Sequence, residues 1–79
     1  MRQFWSVELV DLVPCKSSKV SAFGHDPETG ELHVQYKDGA TYAFEGVPAD
    51  LHDSLRNAPS VGSFLHREIE RKHKARKVA

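Results

Sequence analysis

Two turn signals set close together constrain this chain more than anything else in it. The first is Asp26-Pro27-Glu28-Thr29-Gly30 and the second is Lys37-Asp38-Gly39. Proline fixes the first turn position, and glycine accepts the positive φ that closes such loops. A loop from Pro27 to Gly30 pairs Asp26 with Glu31, His25 with Leu32 and Phe23 with Val34. Cross-strand partners share a face, so Phe23, His25, Leu32 and Val34 lie together. The second signal admits two registers. A tight Asp38-Gly39 turn would pair Lys37 with Ala40 and put Tyr42 and Phe44 opposite the Leu32 face. A longer loop with a glycine bulge pairs Tyr36 with Ala40, Val34 with Tyr42 and Leu32 with Phe44. A slip of one residue turns a whole strand over, and a small chain cannot leave two aromatic rings outside its core. The bulged loop is therefore predicted, with His33, Gln35, Thr41 and Ala43 facing outward.

The chain has 79 residues, enough for one domain. A domain of this size buries only about 60% of the surface its unfolded chain exposes. It has one cysteine, which rules out an internal disulfide and a four-cysteine zinc site. Nearly every large apolar residue must then join one core, or the protein must dimerise; monomer and homodimer both stay open. No apolar run is long enough to span a membrane. Met1 to Ser6 lacks the apolar stretch of a signal peptide. A cytoplasmic protein is expected.

Helical signals follow the strands. Pro48 suits a first helical position, and Val47, Leu51, Leu55 and Ala58 form a stripe across Pro48–Asn57. Ala58-Pro59 stops that helix. Ser60 caps a second one, whose apolar face is Val61, Phe64, Leu65 and Ile69. This helix is predicted to run past the core and end in solvent, charged all round. In residues 4–13, Trp5, Val7, Leu9 and Val13 share a face, giving an additional strand that Pro14 ends. The expected fold is α+β: a three-stranded antiparallel meander, joined by the N-terminal strand, packed on two C-terminal helices. Residues 1–14 are the N-terminal extension, 15–72 the domain and 73–79 a basic tail. Phe23, Leu32, Val34, Tyr36, Tyr42, Phe44, Leu51, Leu55, Phe64, Leu65 and Ile69 are the expected core.

At this point the residues resemble a family. Ser17-Ser18-Lys19-Val20, Gly24-His25-Asp26-Pro27, the Gly30 turn, Tyr42-Ala43-Phe44, Val47-Pro48 and Ala58-Pro59-Ser60-Val61-Gly62-Ser63-Phe64 are similar to the KTSC domain. Several spaced motifs agree in order across residues 15–72. The family is named for its place at the C-terminus of some lysyl-tRNA synthetases and includes small bacterial or phage proteins. The resemblance implies the fold and a suggested role in RNA binding. The chain departs from the family twice: Phe44 stands where a second tyrosine is usual, and His25 follows Gly24 where tyrosine is usual. Each departure removes a phenolic hydroxyl.

Charge supplies the candidate interface. The formal net charge is zero, but residues 1–65 hold five basic groups against nine acidic ones, and residues 66–79 six against two. Arg67, Arg71 and Lys74 fall on one helical stripe, and Lys72 and Arg76 on a parallel one. With Lys77, and with Lys16 and Lys19 from the linker, they are the candidate nucleic-acid contacts, since cationic stripes neutralise phosphates without reading bases. A solvated, fraying terminus has the same composition. Glu68 with Lys72 and Glu70 with Lys74 are expected ion pairs that would lower the positive potential. Tyr42 and Phe44 would stack bases only if they faced outward; the register puts both in the core. Ser60, Gly62 and Ser63 open a helix whose free N–H groups suit a phosphate. They equally suit a capped helix whose glycine lets Phe64 and the first helix pack closely.

Catalysis and metals find little support. His66, Glu70 and His73 share a helical face but lack a fourth ligand, so no metal and no cofactor is expected. Cys15 beside Lys16 suggests a lowered thiol pKa, yet no histidine is placed to work with it. The sequence thus predicts a non-enzymatic binding module, with RNA as the expected partner. A protein adaptor or phage accessory protein is the alternative, using the open sheet face or the basic helix; it predicts an exposed apolar patch that can include Phe4 or Trp5. For a phage-encoded chain the setting would be the host cytoplasm.

Overall fold

A computed structural model describes residues 12–78 as a five-stranded antiparallel sheet with helices on one face. The strands lie in chain order: β1 (Val13–Pro14), β2 (Val20–Asp26), β3 (Glu31–Tyr36), β4 (Thr41–Phe44) and β5 (Ala75–Lys77). Helix α1 (Ala49–Arg56) and helix α2 (Val61–Phe64) follow β4, and α2 continues without a break as a π-helical segment, Leu65–Glu70.

Both predicted registers are present. Phe23 pairs with Val34, His25 with Leu32 and Asp26 with Glu31. Val34 pairs with Tyr42 and Leu32 with Phe44. The Tyr36 N–H donates to the Ala40 carbonyl at 2.9 Å, and Gly39 takes φ +97°, so the bulged loop is the one formed. The meander then has a single inner face. Leu32, Val34, Phe23 and Phe44 pack there against Leu55 of α1 and Val61, Leu65 and Ile69 of the second helical stretch. All eleven expected core residues lie in this cluster or against it. Val20, Val47 and Val61, which the expected core does not include, are buried in it too.

Four expectations need correction. The N-terminal strand is described only as Val13–Pro14, paired with Phe23 and Ala22; its remainder, with Phe4 and Trp5, lies outside the described residues. Pro48 is the N-cap of α1 rather than its first residue, with φ −71° and ψ 157°.

The third correction is larger. The second helix does not run out into solvent, and Ala75–Lys77, within the expected tail, form a strand. The chain reverses after Glu70, where the His73 N–H bonds back to the Ile69 carbonyl, and returns as β5 beside β4. The Glu45 N–H donates to the Lys74 carbonyl and the Val78 N–H to the Thr41 carbonyl. Pairing of this kind satisfies the edge of β4, which a three-stranded meander would have left open.

The fourth concerns the opposite face of the sheet. His33, Thr41 and Ala43 were expected to point outward into solvent, but all three are buried; His33 is 7% exposed. Adding β1 and β5 makes β2, β3 and β4 interior strands. Arg76, opposite Ala43, reaches across that small side chain to Glu31 of β3, whose carboxylate also meets His33 Nε2 at 3.3 Å. The outer face thus carries its own ionic cover.

Candidate nucleic-acid interface

Two adjoining depressions flank the segment that leads from β1 into β2. One wall is residues 13–19. The other is the C-terminal half of α1 and the start of α2. Ser17 shapes the first wall, its Oγ accepting from the N–H groups of Lys19 (3.1 Å) and Val20 (3.2 Å). Such a hydroxyl turn bends the backbone locally without a glycine. The second wall begins at Ser60, whose Oγ accepts from the Ser63 N–H at 3.4 Å, the predicted cap. The walls meet at Gly62, where a Cβ would sit at ordinary contact distance, 3.4 Å from Ser17 Oγ and 3.7 Å from Lys19 Cβ. The close neighbour of Gly62 is therefore the Ser17–Lys19 turn, not the first helix as the sequence suggested.

Between these walls lies a polar lobe of ≈ 410 Å³, lined by Lys16, Lys19 and His66 and by Ser17, Ser18, Ser60 and Ser63. Glu70 stands beside it and gathers three donors. Its Oε1 takes Lys19 Nζ and His66 Nδ1, each at 3.1 Å, and its Oε2 takes the Tyr36 hydroxyl at 2.5 Å. Burial works to raise the Glu70 carboxyl, but these hydrogen bonds outweigh it and hold the group below the usual glutamate range. Lys19 also lies over the Tyr36 ring at 5.8 Å, and Tyr36 meets Tyr42 edge-on at 5.9 Å. Lys77, the cross-strand partner of Tyr42, ends this row.

The second lobe is larger, ≈ 520 Å³, and mostly apolar; Val13, Pro14, Phe23 and Val61 line it together with Cys15, His25, His52 and Arg56. His25 and His52 stack with ring centroids 5.2 Å apart and planes 15° from parallel. The His25 Nε2–H donates to the Val47 carbonyl at 2.7 Å. Burial, and then the neighbouring His25 and Arg56, lower the His52 pKa. Burial pushes the Cys15 thiol up while Lys37 works against it, the reverse of what Lys16 alongside suggested. The sheet pattern placed His25 on the inner face, so half of this stack was readable. His52 was not, because only the docking of α1 brings it there.

The predicted cationic stripes are redistributed. Arg67 lies on the π-helical segment over the Phe64 ring, 5.7 Å from its centroid, and pairs with Glu68. Lys72 pairs with Glu68 as expected. Glu70 binds Lys19 rather than Lys74. Lys74 is off the helix, and Arg76 is on the opposite face of the sheet, bound to Glu31. No single stripe therefore joins Arg67, Arg71 and Lys74, or Lys72 and Arg76. Among the described residues Lys16, Arg71, Lys74 and Lys77 have no ion-pair partner. Tyr42 and Phe44 pack in or against the core, as the register required. His73 is also off the helix, its Nδ1–H donating to the Glu45 carbonyl, which takes it away from His66 and Glu70. Among the described residues no group of three acidic, histidine or cysteine side chains is placed to hold a metal.

A comparison with protein-family models matches residues 16–73 to the KTSC domain. The chain belongs to the KTSC domain family. The crystal structure of a KTSC domain protein from Yersinia pestis superimposes with a TM-score of 0.85 at 31% identity, covering 89% of this chain and 99% of that one. An uncharacterised protein of Stutzerimonas stutzeri is 33% identical over 61 residues, which span 77% of this KTSC chain and 86% of the relative. A lysine–tRNA ligase of Nostoc sp. is 30% identical over 59 residues, 75% of this chain but only 10% of the ligase. The similarity thus spans one small part of a much longer enzyme. No helix among the described residues is long and apolar enough to cross a membrane.

Proposed function

We propose that this KTSC domain is a non-enzymatic RNA-binding module that holds backbone phosphate at the polar lobe beside Gly62. The observation that carries the reading is the lobe's lining. Lys16, Lys19, His66 and four serines line it with no carboxylate among them, in a chain with as many acidic as basic groups. Glu70 beside the lobe holds Lys19 and His66 in place and leaves Lys16 without an ion-pair partner among the described residues. Ammonium, imidazole and hydroxyl groups are the donors phosphates take. Arg71, Lys74 and Lys77, with no ion-pair partner among the described residues, supply further charge at the C-terminal end. The similarity to part of lysine–tRNA ligases supports RNA as the polyanion. The adaptor reading requires an exposed apolar patch. Among the described residues the exposed large hydrophobics are Val13 and Val78, at opposite edges of the sheet.

The test is a fluorescence-anisotropy titration with labelled tRNA, single-stranded RNA and duplex DNA at several salt concentrations. Binding at a Kd of about 1–100 µM or tighter is expected, weakening steeply as salt rises, because displaced counterions set the affinity. Lys16→Gln and Arg71→Gln each reduce the salt dependence. Absence of binding to all three at low salt overturns the reading.

A further inference from the structure

We infer that the two lobes form one site for an unpaired nucleotide, with the base in the apolar lobe and its phosphate in the polar one. This rests on the RNA reading above and names the unit that is recognised.

Continuity is the first argument. Val61 lines both lobes, and one wall runs unbroken from Pro14 and Cys15 in the apolar lobe to Lys16 and Ser17 in the polar lobe. A ligand of modest length therefore reaches both.

The second argument is segregation of chemistry. At ≈ 520 Å³ the apolar lobe falls within the range of small-molecule pockets, roughly 300–1,000 Å³. Its planar groups are the stacked imidazoles of His25 and His52, the Phe23 ring edge-on to His52, and the Arg56 guanidinium. Rings and guanidinium planes are the surfaces on which unstacked bases settle. The neighbouring lobe holds the ammonium groups and hydroxyls that a phosphate needs. Neither lobe is lined by a carboxylate. Glu70 beside the polar lobe is already bonded to Lys19, His66 and Tyr36, and Asp53 beside the apolar lobe is paired with Arg56, while Lys16 at the junction of the lobes has no ion-pair partner among the described residues. An apolar peptide side chain would use only the first lobe and an inorganic anion only the second. A nucleotide uses both.

The experiment titrates adenosine 5′-monophosphate, adenosine, inorganic phosphate and a single-stranded RNA into the full chain, followed by NMR chemical shifts. It is repeated with His52→Ala, His52→Phe and Lys16→Ala. His52 is only partly buried, but its ring packs edge-on against Phe23 of the core, so His52→Phe, which keeps a ring there, is the control for His52→Ala. The monophosphate should bind more tightly than adenosine or phosphate. His52→Ala should weaken the monophosphate and the RNA by about fivefold or more, as loss of one stacking ring does, and His52→Phe should restore them. Lys16→Ala should weaken the monophosphate and leave adenosine unchanged. RNA binding that ignores His52, with the monophosphate no better than phosphate, overturns the nucleotide site and leaves the polyanion reading standing. Monophosphate binding through both lobes without RNA binding does the opposite. Failure of every ligand overturns both.

Discussion

The Tyr36 hydroxyl donates to Glu70 Oε2 at 2.5 Å, tying the end of β3 to the last turn of the π-helical segment across 34 positions of sequence. The bond fixes both protonation states. Burial, and then the hydrogen bond to the Glu70 carboxylate and its charge, push the Tyr36 pKa well above its ordinary value of 10.0. A raised folded-state value means that the neutral phenol is what folding favours. Its stability contribution is complete below pH 10 and is lost as pH rises from there toward the folded-state value. Tyr36→Phe is expected to lose about 1.5–3 kcal/mol at pH 7, the range for a hydrogen bond to a charged group. In denaturant unfolding from pH 7 to pH 11, the gap between native and variant should narrow above pH 10. A gap that stays constant would mean the hydroxyl contributes through packing alone.

Arg76 and Glu31 make the corresponding link on the outer face, where β5 is held over β4. The Arg76 hydrogen bond is the main reason the Glu31 carboxyl lies below 4.5, with burial opposing and His33 assisting. Here the folded-state value is depressed. The contribution is therefore present above pH 4.5 and disappears as pH falls through the folded-state value. Half of the Arg76 side chain is exposed, so solvent screening keeps the effect small, about 0.5–1 kcal/mol. Arg76→Ala should lower the urea midpoint at pH 7, and its gap from the native protein should narrow as pH falls below 4.5. Hydrogen exchange of the Glu45 amide, which donates to the Lys74 carbonyl, and of the Val78 amide, which donates to the Thr41 carbonyl, should rise in the same variant. Protection of those two amides at native levels would show that β5 stays docked without the arginine.

His25 is placed to satisfy a specific backbone group. Its Nε2–H reaches the carbonyl of Val47, a buried residue whose own N–H bonds to the Gly30 carbonyl at 2.8 Å. The hairpin tip and the entry to α1 are joined through this one residue. His25→Phe keeps an aromatic ring beside His52 but removes the donor. It is expected to cost about 1–3 kcal/mol, the penalty for a buried polar group left without its partner. Thermal melts check this. A loss under 0.5 kcal/mol would indicate that another donor reaches the Val47 carbonyl.

Much of this was legible in the sequence, and the reason is local. Turn chemistry at Pro27–Gly30 and Lys37–Gly39 set the pairing of β2, β3 and β4, and pairing set which residues face inward. The Ser60 cap and the Leu65–Ile69 spacing likewise came from short-range rules. Spacing did not distinguish α from π geometry beyond Phe64, because Leu65 and Ile69 reach the core in either. What local rules could not supply was long-range. Ala75-Arg76-Lys77 is too short and too charged to signal a strand; it becomes one because β4 offers an unpaired edge. Glu70 was assigned to Lys74 by helical spacing, whereas the tertiary fold gives it Tyr36, His66 and Lys19. His52 joins His25 only through the docking of α1. The polar lobe likewise emerges when residues 16–19 lie against Gly62.

The same finding decides how the C-terminal charge must be tested. Shortening the chain to end at Glu70 removes Arg71, Lys72, Lys74 and Lys77, but it also removes β5 and uncovers β4. Loss of RNA binding in that shortened chain would not separate charge from fold. Single charge removals do separate them. Lys72 sits on the surface with Glu68 as its one partner, and exposed pairs of this kind contribute little to stability. Lys72→Gln should therefore melt like the native protein. If Lys72 contacts phosphate, its loss should lower the slope of log K against log salt by about one, uniformly across RNA sequences. Arg71→Gln and Lys77→Gln should do the same, whereas Arg76→Gln, on the far face of the sheet, should leave the slope unchanged. An equal fall for Arg76 would mean that RNA wraps both faces of the sheet rather than following the Gly62 side.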